Sequence, residues 1–141
     1  MTLEKIEESL PNGLHDAQIM DLSVSYDRME LSLRTRILVG LPAQSGPARD
    51  TYRNGTFLFR PLRFLAMELP EPSSAFQSAG SIWFSYERTS PENLPAQLVK
   101  ALPPETHYYS LFIRDWFASV HIATGQVDFF WDAADAAPAA A

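Results

Sequence analysis

The chain has 141 residues, 46% of them apolar and 20% charged, with 17 acidic residues against 11 basic ones and a net charge of -6. That size and composition predict one folded domain rather than a disordered chain. The absence of cysteine excludes a disulfide framework, a thiolate zinc site and a cysteine nucleophile.

The charge is unevenly spread. Residues 1–27 carry a balance of -5, residues 28–63 a balance of +5 and residues 64–141 a balance of -6. The basic middle consists of Arg28, Arg34, Arg36, Arg49, Arg53, Arg60 and Arg63. These arginines either pair with acids on neighbouring strands or form a patch for an anionic partner, and pairing is the simpler expectation. Nucleic acid is not an expected partner, because a phosphate backbone calls for a strongly positive face.

In chain order, Thr2 to Leu10 predicts a short helix. Thr2 can cap it, and Leu3, Ile6 and Leu10 share one face. Pro11-Asn12-Gly13 ends it. The acidic start, MTLEKIEESL, lacks the basic and apolar regions of a signal peptide, and no apolar run reaches the length of a membrane span. A cytoplasmic, non-membrane protein is the resulting expectation.

From Ala17 the period changes to two. Met20, Leu22, Val24 and Tyr26 alternate with polar residues, and so do Met29, Leu31, Leu33, Thr35 and Ile37. The pattern predicts a β-hairpin with Ser25 opposite Glu30, Val24 opposite Leu31, Leu22 opposite Leu33 and Asp21 opposite Arg34. Residues 40–55 read as a loop. Thr56 to Arg60 and Leu62 to Leu69 read as strands on either side of Pro61, which donates no hydrogen bond and so marks a break or an edge.

A second loop follows at 69–74, then a strand from Ser81 to Tyr86. Asn93 to Leu102 predicts a second helix capped by Asn93. Strands over Tyr108 to Ile113, Phe117 to Ala123 and Val127 to Trp131 complete the fold, the last two joined by a hairpin loop at Thr124-Gly125-Gln126. The predicted fold class is mainly β (α+β): an antiparallel sheet, curved half-barrel or sandwich of seven or eight strands with two short helices. In a coarser label it is all-beta. Residues 1–132 form the domain, and 133–141 are an alanine-rich tail expected to fray.

Motifs for chemistry are sparse. No HExxH, GxSxG, GxGxxG or phosphate-binding loop occurs, so no metal, cofactor or catalytic residue is assigned. His121 alternates with Val120 and Ile122 and reads as a strand-surface residue, and His107 as exposed. Glu7-Glu8, and Glu68 with Glu71, read as solvated carboxylates. His15-Asp16 stands at a strand mouth after Asn12-Gly13. A base tuned by a carboxylate is one reading and a hydrogen-bonded structural turn is the other, although adjacent residues in extended chain point apart. Arg114-Asp115-Trp116 reads as a turn between strands, with Trp116 as an interface anchor if exposed. The candidate binding residues are therefore Asn12, His15, Asp16, Arg114, Asp115 and Trp116.

The stretch from Leu10 to Met20, with its Pro-Asn-Gly-Leu-His-Asp-Ala core, resembles a group of small bacterial proteins. Those begin with a PNGxHDA motif, often with an aromatic residue where Leu14 stands here, and continue into a β-hairpin. Arg114-Asp115-Trp116 before an apolar strand is similar in kind. Some proteins of this look are regarded as immunity-like, and the resemblance brings no cofactor or active site.

Together these features predict a bacterial protein that acts by binding, with another protein as its partner. An acidic surface suits a basic partner. A small-molecule carrier built on a curved sheet, and a small hydrolase or isomerase using His15 and Asp16, are the alternatives.

Overall fold

The computed structural model describes residues 1–70 and 82–133. Seven strands are present among them: β1 (Pro11–Leu14), β2 (Gln18–Ser25), β3 (Glu30–Leu38), β4 (Tyr52–Met67), β5 (Ile82–Arg88), β6 (His107–Ile113) and β7 (Ala118–Trp131). Helix α1 spans Leu3–Ser9 and α2 spans Ala96–Ala101. Six strands make one antiparallel sheet in the order β2-β3-β4-β7-β6-β5. The sheet curls until its outer strands meet at Gln18↔Trp83 and Ile19↔Ile82. That seam is two pairs long, so the strands are not laced together along their full length.

This is the expected curved antiparallel sheet with two short helices. The label all-beta does not hold, because α1, α2 and three 3-10 turns make the fold mixed α+β. Among the described residues no helix is long and apolar enough to cross a membrane.

β3 shows why the hairpin was predictable. Leu31, Leu33, Thr35 and Ile37 are buried, while the residues between them are half-buried on the other face. Each predicted pair forms: Ser25↔Glu30, Val24↔Leu31, Leu22↔Leu33 and Asp21↔Arg34. Arg34 Nη1 lies 3.2 Å from Asp21 Oδ2, a half-exposed contact worth about 0.2–1 kcal/mol. The turn takes its positive φ at Met29 (50°) rather than at Arg28. Met20 departs from the expected face. The register shifts between Ile19 and Asp21, so Met20 is exposed and Ile19 packs against the core instead.

Two predicted breaks are bends within unbroken strands. β4 runs through Pro61, where the Arg60–Pro61 peptide is cis. β7 runs through Thr124-Gly125-Gln126, with no hairpin loop there. The two features face each other. The β4–β7 register passes from Arg60↔Gln126 to Leu62↔Thr124 and shifts before Phe64↔Ala123. A Cβ on Gly125 would lie 2.7 Å from Pro61 Cδ, so glycine is what lets the strands close over the proline ring. β4 pairs with β3 only as far as Leu31↔Phe59, so Pro61 also lies where that edge is no longer in the ladder.

Pro95, rather than Asn93, stands at the start of α2, and Asn93 closes a separate 3-10 turn, Pro91–Asn93. The expected strand start at Ser81, the loop residues 71–74, Glu71 and most of the alanine-rich tail lie outside the described residues.

The interior is filled by Phe57, Phe59, Leu31, Leu33, Tyr109 and Leu111, each at most 1% exposed. α1 lays Leu3, Ile6 and Leu10 into this same core. Thr2 Oγ1 accepts from Lys5 N–H and caps the helix as expected.

Candidate functional site

The chain leaves α1 and enters β2 through a tightly held turn. Asn12 Nδ2 donates to two backbone carbonyls at the end of β3, Leu38 O (3.0 Å) and Gly40 O (2.7 Å). Gly13 takes φ 56°, a conformation that favours glycine. Leu14 and Ala17 are buried anchors on either side of His15-Asp16. His15 N–H donates to Asn12 O, and Ala17 N–H to Leu14 O, each at 3.1 Å.

Asp16 has φ 57°, the left-handed region that aspartate tolerates better than most residues. That backbone turn brings its carboxylate round to the imidazole, overcoming the divergence of neighbouring side chains in extended chain. Asp16 Oδ2 lies 3.4 Å from His15 Nε2. The His15 side chain is 79% exposed, so the pair is presented outward.

Two grooves flank this turn. The first, about 540 Å3, runs between α1 and β5 and is lined by Glu4, Glu7, Leu14, Tyr86, Glu87 and Arg88. The second, about 550 Å3, lies against Asp16, Leu38, Gly40, Arg49 and Asp50. Asn12 and His15 line both, so they form the ridge between them.

The wall of the first groove is a hydrogen-bonded network absent from the sequence reading. Glu7 is not solvated: Oε1 accepts from Tyr86 Oη at 2.9 Å and Oε2 from Leu14 N–H at 3.3 Å. Glu4 Oε2 accepts from Tyr109 Oη at 3.1 Å, and that hydroxyl accepts from Leu3 N–H at 3.2 Å. Arg88 Nη1 stands 3.6 Å from Glu4 Oε1. Arg88 also reaches His107 Nδ1 at 3.2 Å, and His107, expected to be exposed, is half-buried against the Tyr109 ring.

Burial pushes the ionisation of both tyrosines to higher pH. For Tyr86 the next cause is its hydrogen bond to Glu7. Tyr109 is pushed up to about 12, with burial the largest cause and the Glu4 carboxylate adding to it. A phenol that holds its proton more tightly when folded contributes stability that is whole below its ordinary pKa of 10.0. That contribution is lost as the pH rises through about 12. At about pH 11, Tyr86 and Tyr109 should therefore remain neutral while the protein is folded. Their phenolate absorbance should appear together with loss of tertiary circular dichroism. Their early ionisation in a still-folded chain would contradict the network.

The second predicted cluster lies elsewhere. Arg114–Trp116 forms a 3-10 turn between β6 and β7, ended by Phe117 at φ 50°. Asp115 Oδ2 accepts from Trp83 N–H at 2.8 Å, and the Arg114 guanidinium lies 5.4 Å from the centre of the Trp83 ring. The turn thus caps the start of β5. Trp116 is half-buried against the core, and its neighbour Phe117, 73% exposed, is the outward aromatic. None of Arg114, Asp115 and Trp116 lines either groove beside His15.

The basic middle of the chain is largely absorbed by the fold, as pairing predicts. Arg28 and Arg60 meet Glu30, Arg60 also meets Asp128, Arg34 meets Asp21 and Asp132, and Arg63 meets Glu105. Arg36 lies over the Tyr52 ring and Arg53 over Trp131. Among the described residues no three His, Asp or Glu side chains converge on a metal position. No family model, curated protein or solved structure matches the chain.

Proposed function

We propose that the protein acts by binding, and that it holds a cationic segment of a protein partner in the groove between α1 and β5. One observation carries this reading. The fold secures the His15-Asp16 turn with a double Asn12 clamp, two buried anchors and two left-handed residues, yet it leaves the imidazole 79% exposed. A polar pair held rigidly on a ridge between two grooves suits recognition, because ordering is complete before the partner arrives.

The chemistry of the groove selects the partner's charge. Three carboxylates, Glu4, Glu7 and Glu87, line the groove with one guanidinium, Arg88, which is paired with Glu4. The arginines of the middle segment are mostly engaged within the fold, so the net charge of -6 reaches the outside as acid. A basic segment gains from both the local groove and the surrounding field. The likeness to PNGxHDA proteins of immunity-like type points the same way. An interior packed with Phe57, Phe59 and Tyr109 favours surface binding over an enclosed carrier.

The test is calorimetric titration with an acetylated Arg-Gly-Arg-Gly-Arg amide. Binding is expected in about 50 mM salt and should weaken about tenfold or more in about 500 mM salt. Glu87→Gln should weaken it severalfold with an unchanged melting temperature, since Glu87 is exposed. Affinity indifferent to salt, or equal affinity for the Glu-Gly-Glu-Gly-Glu counterpart, would overturn the proposal.

A further inference from the structure

A chain of four hydrogen-bonded side chains crosses the outer face of β5, β6 and β7. Glu68, the residue after β4, places Oε2 2.9 Å from His121 Nε2 and accepts Ser119 N–H on Oε1 at 2.8 Å. His121 Nδ1 lies 2.9 Å from Ser110 Oγ. Ser110 Oγ lies 2.8 Å from Thr89 Oγ1. Strand register holds the order: Ser110 pairs directly with His121, and Ala66, two residues before Glu68, pairs with His121 from the other side.

The proton positions follow from these partners. The His121 hydrogen bond, and then the Ser119 N–H, hold the Glu68 carboxyl below its usual range. An ionised carboxylate only accepts, so His121 Nε2 carries a proton, and in the neutral imidazole Nδ1 is then the acceptor. Ser110 then donates to Nδ1, and the Thr89 hydroxyl donates to Ser110 Oγ, ready to steady negative charge there. Carboxylate, imidazole and hydroxyl stand in the order that activates a serine, with the ring nitrogens exchanged relative to the chymotrypsin arrangement. Ser110 also lines a cavity of about 280 Å3 with Ser85, Glu87, Phe112 and Ser119.

The geometry points to Ser110 as a nucleophile towards small, uncharged acyl esters, with His121 as its general base and Glu68 as the residue that positions that base. Ser110 Oγ bonds to the ester carbonyl carbon while its proton passes to His121 Nδ1 and the carbonyl π pair moves onto oxygen. The carbonyl re-forms as the C–O bond to the leaving alcohol breaks, and the departing oxygen takes the proton from His121. Water then attacks the Ser110 ester with the same base, releasing the carboxylic acid and restoring Ser110. Glu87 beside the cavity disfavours anionic substrates.

Ser119 N–H is committed to Glu68 and so does not serve the developing oxyanion, whose proposed donors are the hydroxyls of Ser85 and Ser119 in the lining of the same cavity. Loss of one such donor slows an enzyme by about 10²–10³-fold. Turnover is therefore slow, and the covalent adduct is the better readout.

The experiment treats the full chain with a small alkyl fluorophosphonate, whose phosphorus bonds to the serine oxygen as fluoride departs and the hydroxyl proton passes to His121, and maps the adduct by peptide mass spectrometry. Ser110 should be labelled in the native protein, and His121→Gln should slow labelling at least tenfold. Glu68→Gln, which keeps an acceptor within reach of His121 Nε2 but removes the carboxylate, should slow labelling severalfold at an unchanged melting temperature, and Glu68→Asp should restore part of the rate. A purely structural change would lower the melting temperature and slow both variants alike. No Ser110 adduct in the native chain, while the same reagent marks a standard serine hydrolase, would overturn the assignment. So would an unchanged rate in a folded His121→Gln variant.

Discussion

Phe59→Ala is expected to lower the free energy of unfolding by about 3–5 kcal/mol, the largest effect of any single substitution considered. Phe59 is 0% exposed at the centre of the curled sheet, paired with Leu31 on β3 and with Val127 on β7. Its ring meets Tyr109 edge-on at 6.4 Å, and Tyr109 in turn holds Leu3 and Glu4 of α1. The cavity left by alanine would thus open beneath the helix, where tight strand pairing limits collapse. Domains of this size are stable by about 5–15 kcal/mol, so the variant should unfold at much lower urea. Phe130→Ala is the control: that side chain is 48% exposed, and its loss should cost well under half as much. Equal costs for the two would contradict the assignment of Phe59 to the centre of the core.

Glu7→Ala is expected to cost about 1–3 kcal/mol, the usual penalty for stranding polar groups away from water. The Tyr86 hydroxyl and the Leu14 amide would both lose their acceptor. Gly13 would lose packing, since Glu7 Cγ lies 3.1 Å from where a Gly13 Cβ would be. The amide of Leu14 should exchange hydrogen faster in the variant, and the His15 turn should lose definition. Glu8→Ala, one residue along on the exposed face of α1, should stay within about 0.5 kcal/mol of the parent. If both changes behaved alike, Glu7 would be a solvated surface carboxylate after all.

The hairpin of β2 and β3 was legible from residues alone because three signals agree there. Apolar residues alternate, the turn is short, and Asp21 and Arg34 match in charge at the same register that matches Leu22 with Leu33. The long strands β4 and β7 were not legible as single strands. Pro61 and Thr124-Gly125-Gln126 carry local breaking chemistry, and only the opposite strand reveals that the proline and the glycine form one shared bend. Tertiary pairing overrides the local signal in both.

The same divide runs through the candidate site. The turn at Asn12-Gly13 was readable from its residue types, and it brings His15 and Asp16 together through the left-handed backbone of Asp16. Its neighbours were not readable. Glu7 meets Tyr86 across 79 residues, and Glu4 meets Tyr109 across 105. The Ser110–His121 contact was hidden because a hairpin at 124–126 would pair the two halves of β7 with each other. In the fold they form one strand, and its first half pairs with β6. Arg114-Asp115-Trp116 was marked for its composition, yet it spends Asp115 on the Trp83 amide and Trp116 on the core.

The central claim is that the ridge and groove beside His15 receive a cationic segment. Amide chemical-shift mapping of the labelled protein, titrated with the acetylated Arg-Gly-Arg-Gly-Arg amide at low salt, tests it most directly. The predicted result is a saturable set of shifts confined to Glu4, Glu7, Leu14, His15, Glu87 and Arg88, reversed by added salt. Shifts spread evenly over the acidic surface, or centred on the Arg114–Trp116 turn, would contradict it.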